Sequence, residues 1–146
     1  MGRFEILTKH IEPLKNEKEY GYPINREGKR VTKEEDLYYY DENNTKVYTP
    51  PFYKYSDTVK SFTRDLVNFI FDTKNEDILP IKDVRTKDIK FDEKKIFSLD
   101  ASSVLLLLNS PIKWERFCDG LLLQAFKSGH ILKLLERLKE IDESQN

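Results

Sequence analysis

Apolar residues recur along this chain at two periods, and the switches between them mark its elements. Phe4, Leu7, Ile11 and Leu14 return at helical intervals with charged residues between them, so residues 3–16 are predicted to form one amphipathic helix with Pro13 near its end. From 17 to 36 the periodicity is lost among charges, Gly21, Pro23 and Gly28, and no element is assigned. Leu37-Tyr-Tyr-Tyr40 and Thr45-Lys-Val-Tyr48 flank Asp-Glu-Asn-Asn, a pattern that predicts an antiparallel β-hairpin closed by Asx-rich turn chemistry. Pro50-Pro51 ends the second strand, and Phe52-Tyr-Lys-Tyr55 leads to Ser56, a fitting cap for a helix over 57–73 whose stripe is Val59, Phe62, Leu66, Phe69 and Ile70. Residues 74–97 read as a long polar connection. Ser98 or Asp100 can cap a helix through Leu108, which Asn109-Ser110-Pro111 is expected to break. A helix over 112–127, with Trp114, Phe117, Cys118, Leu121 and Ala125 on one stripe, then meets Ser128-Gly129. The last helix, over 130–142, carries Ile131, Leu134, Leu135, Leu138 and Ile141, so these two form an αα-hairpin. The predicted class is α+β, mainly α, over a single domain of residues 1–146.

Composition bears on where such a fold operates. At 146 residues with 12% aromatic side chains, the chain can bury roughly two thirds of its unfolded surface in one core. Its 25 Lys and Arg against 26 Asp and Glu give no long-range pull toward polyanions or anionic membrane. Cys118, the single cysteine, excludes an internal disulfide framework and points to a reducing compartment, so a cytoplasmic location is expected. The N-terminal residues lack a signal-peptide apolar region, and Ile6 stands where a myristoylation motif needs Ser or Thr. The longest apolar run, Val104 to Leu108, is far below the roughly 18–20 residues that span a bilayer, so no membrane partner is expected.

Candidate chemistry is sparse. Cys118 and His130 could pair as thiol and imidazole, but Cys118 lies on an apolar stripe where a free cysteine behaves as a small hydrophobe. His10, His130 and one cysteine fall short of a zinc site, and no Asp-rich loop has the alternation that calcium needs. No catalytic residue, metal or cofactor is assigned. Arg116, Gly120, Leu123 and Lys127 share the helix face opposite the apolar stripe, with Asp119 beside Arg116 and Glu115. A glycine inside a helix costs about 1 kcal/mol relative to alanine, so Gly120 implies close approach by a packed element or by a ligand. Arg116, Asp119 and Gly120 are therefore candidate ligand or partner contacts, because an arginine beside a carboxylate can also shape an anion pocket.

A second candidate set is aromatic. Tyr38, Tyr39, Tyr40, Tyr48, Phe52, Tyr53 and Tyr55 crowd one region with Lys46 and Lys54 among them. Alternation sends Tyr38 and Tyr40 to one face of their strand and Tyr39 to the other, so some of these rings must face outward. Tyr39, Tyr48, Tyr53 and Tyr55 join the candidate contacts, with a protein partner or a homodimer preferred over a stack of nucleic-acid bases. The lysines and arginine at 82–95 alternate with acids, which describes a solvated face better than a phosphate track.

Arg116-Phe-Cys-Asp-Gly120, Phe126-Lys-Ser-Gly129, Ile131 and Leu135-Glu-Arg-Leu138, with Pro51-Phe-Tyr-Lys-Tyr-Ser56, Val59 and Phe62 upstream, resemble the signature of a bacterial and phage family of unknown function, catalogued as sixty-five-oh-eight. The resemblance covers roughly the last two thirds of the chain and leaves residues 17–48 unplaced. It implies one compact domain and a bacterial or phage setting, and supplies no catalytic residues. The functional expectation is a small cytoplasmic protein-interaction or regulatory module without a cofactor. Behind it stand a small-anion-binding or enzymatic role at Arg116 and Asp119, and then a nucleic-acid adaptor.

Overall fold

The structure, a computed structural model, describes residues 2–78, 94–115 and 119–144. The first apolar stripe becomes two short helices, α1 (Glu5–Thr8) and α2 (Ile11–Lys15), in place of one helix over 3–16. Pro13 accounts for the break: a continuous helix would need its missing N–H to reach the carbonyl of Lys9, whereas at the third position of α2 no such bond is required. Phe4, Leu7, Ile11 and Leu14 are nonetheless all buried, as the stripe predicted.

Helix α3 (Asp57–Phe71) starts where expected, with Ser56 Oγ accepting the Val59 N–H at 3.2 Å. Its residues Val59, Phe62, Leu66, Phe69 and Ile70 meet α1–α2 and the C-terminal helices in one buried cluster. Phe4 packs on Phe69 with ring centroids 5.7 Å apart, and Phe62 stands edge-on to Phe126 at 6.0 Å. A 3-10 turn at Ile96–Ser98 leads to α4 (Ala101–Glu115), capped by Asp100 Oδ1 on the Ser103 N–H at 2.8 Å.

Helix α4 runs through Asn109-Ser110-Pro111, where a break was expected. Pro111 removes one intrahelical bond, but Val104, Leu105 and Leu108 before it are buried and Ile112 after it packs on the core, and this packing outweighs the local penalty. The predicted helix over 112–127 is correspondingly corrected. Residues 112–115 are the end of α4, a separate helix α5 (Leu121–Lys127) follows, and Gly120 is the residue before it, with φ +91°, not a helix-interior glycine. The phase therefore restarts at Leu121, which buries Leu122, Leu123 and Phe126 and takes Leu123 off the outer face assigned to it. Gly129, at φ +84°, separates α5 from α6 (His130–Ser144), completing the expected αα-hairpin.

Two antiparallel two-stranded sheets lie outside this helical core. The predicted hairpin is present as β2 (Tyr38–Tyr40) and β3 (Lys46–Tyr48), in the register Tyr38↔Tyr48, Tyr39↔Val47 and Tyr40↔Lys46. Asp41 Oδ1 shapes its turn by accepting the N–H groups of Asn43 and Thr45 at 2.9 and 2.8 Å. The second sheet, unforeseen, pairs β1 (Gly21–Ile24) with β4 (Phe52–Tyr55). Pro23 fits within β1 because its carbonyl accepts the Val31 N–H, so that residue's ladder side points away from β4. The class is thus α+β and mainly α.

Candidate functional site

Strand β4 distributes its aromatic side chains by alternation. Phe52 and Lys54 face outward, while Tyr53 and Tyr55 turn inward, half-buried, toward the junction between α4 and α5. There the Tyr55 hydroxyl donates to Glu115 Oε1 at 2.6 Å. The same carboxylate accepts the N–H of Gly120 at 2.9 Å and, through Oε2, that of Leu122 at 2.7 Å, so it neutralises donors at the start of α5. A Cβ added to Gly120 would lie 2.7 Å from Tyr53 Cζ, so the space beside this glycine is filled by a ring of the same chain. Burial first, and then the adjoining Glu115 carboxylate, raise the Tyr55 phenol well above its ordinary titration range.

The sequence-named residues divide accordingly. Gly120, Tyr53 and Tyr55 are brought together at the junction around Glu115, a residue that sequence reasoning noticed only as a neighbour of Asp119. The legible signal was Asp119-Gly120, a dipeptide that favours a turn and so leaves the next helix to be capped by a carboxylate upstream. Asp119 is exposed. Arg116, with Phe117 and Cys118, lies outside the described residues.

Tyr39 and Tyr48 sit on the hairpin, on opposite faces. Tyr39 is half-buried beside Val47, with the Arg26 guanidinium 4.5 Å from its ring centroid. Directly paired residues of antiparallel strands project to the same side, so Tyr38, Tyr40, Lys46 and Tyr48 share the other face. On it Tyr38 and Tyr48 pack at 5.5 Å, the Lys46 ammonium lies 4.3 Å from the Tyr38 centroid, and Tyr40 and Tyr48 remain 63% and 52% exposed. Phe52, just beyond Pro50-Pro51, is 60% exposed.

A polar cleft of about 230 Å³ behind the hairpin is lined by Asn25, Arg26, Lys29, Asp36 and Tyr39, below the roughly 300 Å³ at which ligand pockets begin. Two of its polar groups hold local turns: Asn25 Oδ1 accepts from Glu27 and Lys29, and Asp36 Oδ2 accepts from Thr32 and Lys33. An apolar cleft of about 360 Å³ lies between α4, α5 and α6, along Leu107, Pro111, Leu121, Ala125 and Leu134. Among the described residues, no three His, Cys, Asp or Glu side chains converge as metal ligands. None of the described helices is long and apolar enough to cross a membrane.

The model of a family of unknown function (DUF6508) matches residues 29–144. The match takes in the β2–β3 hairpin, β4 and α3 to α6, and reaches further toward the N-terminus than the motif resemblance did. Neither the curated proteins nor the solved structures contain a match.

Proposed function

The chain belongs to this family of unknown function, and from that premise we propose that it is a protein-interaction module whose contact surface is the outer face of the β2–β3 hairpin. The observation that carries the reading is the exposure of Tyr40 and Tyr48 on one face of a two-stranded sheet, with Phe52 exposed close by in sequence. Large rings that a hairpin leaves in water are the side chains most enriched at the centres of protein interfaces. The α4–α5 junction favours an anion or substrate less, because Glu115 already holds three donors and Tyr53 fills the approach to Gly120. The module acts as one unit over residues 1–146 and needs no cofactor. The lone cysteine fits the cytoplasm of a bacterial or phage-infected cell.

The test is quantitative capture from the source cells with wild type and with the Tyr40→Ser/Tyr48→Ser variant, after matched thermal melts. A partner held by the wild type and lost by the variant supports the reading. A partner set unchanged by the variant rejects it.

A further inference from the structure

We infer that the hairpin face receives a basic protein segment, one presenting Lys or Arg side chains, and not a second copy of this chain. The inference rests on the reading of the hairpin as an interaction surface and names the chemistry of its partner.

Charge selects the partner. From Lys33 to Tyr48 there are five carboxylates, Glu34, Glu35, Asp36, Asp41 and Glu42, against two ammonium groups, Lys33 and Lys46, a net of −3 that Arg26 and Lys29 against Glu27, in the cleft behind the hairpin, bring to −2, in a chain whose total is −1. Asp36 is half-buried and the other four acids are exposed. Glu35 precedes Tyr38 by three residues and Glu42 follows Tyr40 by two, so their charge acts on whatever docks at these rings, attracting a cationic segment and repelling the same face of another copy. The rings add a second attraction, since a cation gains from lying over a tyrosine. This chain uses that contact repeatedly: Arg30 lies 4.6 Å from the Tyr22 centroid, Arg26 4.5 Å from Tyr39 and Lys46 4.3 Å from Tyr38. Strand addition fits poorly. β3 is three residues long, carries Lys46 and runs into Pro50-Pro51, features that protect a sheet edge and leave the side-chain face as the contact.

The experiment uses two fluorescent probes, a peptide of alternating Gly and Arg and its Gly-Glu counterpart. Each is titrated into wild type, Glu34→Gln/Glu35→Gln/Glu42→Gln and Tyr40→Ser/Tyr48→Ser, with Asp36 and Asp41 kept because they hold turns. The Arg probe should bind wild type, weaken steeply with added salt, weaken about tenfold on the neutralised variant and be lost on the tyrosine variant. The Glu probe should not bind. Absence of Arg-probe binding, equal binding to the neutralised variant, or sedimentation as a dimer that the tyrosine variant abolishes would each overturn the inference. Partner capture in cells separates the two levels. Capture lost by the tyrosine variant but kept by the neutralised one rejects the basic partner and leaves the surface standing, whereas capture kept by both rejects the surface itself.

Discussion

The Tyr55 hydroxyl donates a 2.6 Å hydrogen bond to Glu115, 60 residues further along the chain, and so ties strand β4 to the seam between two helices. Glu115→Ala would strip the partner from Tyr55 and from the N–H groups of Gly120 and Leu122, for a cost of roughly 2–4 kcal/mol in urea unfolding. Tyr55→Phe should cost about 1–2 kcal/mol, and the double variant less than the sum by at least about 0.5 kcal/mol. Strict additivity would show that the two groups do not cooperate.

The same bond sets an alkaline limit. Burial and Glu115 raise the folded-state pKa of Tyr55 above its unfolded value, so its contribution is complete below about pH 10 and is lost as pH rises through the folded value. Stability should fall above about pH 10, and Tyr55→Phe should flatten that fall. Parallel alkaline limbs for the two proteins would count against the assignment.

Gly120 combines a left-handed backbone with a ring 2.7 Å from where its Cβ would sit. Gly120→Ala should therefore destabilise by about 1–3 kcal/mol, whereas at a helix-interior glycine the propensity gain of about 1 kcal/mol would have offset a mild clash. Tyr53→Ala in the Gly120→Ala background should relieve the steric part and leave the backbone part. A melting temperature at or above wild type for Gly120→Ala would refute this placement.

Asp65 offers an acid-side counterpart. Burial alone would push its carboxyl up, but the His10 Nε2 contact at 2.7 Å and the Lys9 charge at 3.5 Å more than offset this and hold it below the ordinary carboxylate range. Its contribution is complete above the unfolded value, about pH 3.9, and is lost as pH falls through the lower folded value. Asp65→Asn should shallow the acid limb of the stability curve. An unchanged limb would remove Asp65 from the account.

Where periodicity and turn chemistry agree, the sequence reads directly into structure. Ser56 caps α3, its five stripe residues are buried, and the hairpin closes where Asp41 and Asn44 allow. Three features were illegible for physical reasons. The pairing of β1 with β4 spans almost thirty residues and includes a proline, so no local pattern announces it. Pro111 reads as a breaker because the packing that retains it is tertiary. The site at the α4–α5 junction depends on Glu115 reaching forward across a turn, and a continuous helix over 112–127 hides that geometry. The hairpin candidates were half legible: alternation separated Tyr39 from Tyr40, but only the structure shows Tyr39 covered by Arg26 and Tyr40 in water.

Photo-crosslinking in cells from a benzoylphenylalanine placed at Tyr48, with an exposed helical site, Glu143, as the control, tests whether partners meet this chain on the outer hairpin face. A discrete adduct is expected from position 48, suppressed by Tyr40→Ser, and none from position 143. An adduct from position 143 with none from position 48 would contradict this placement.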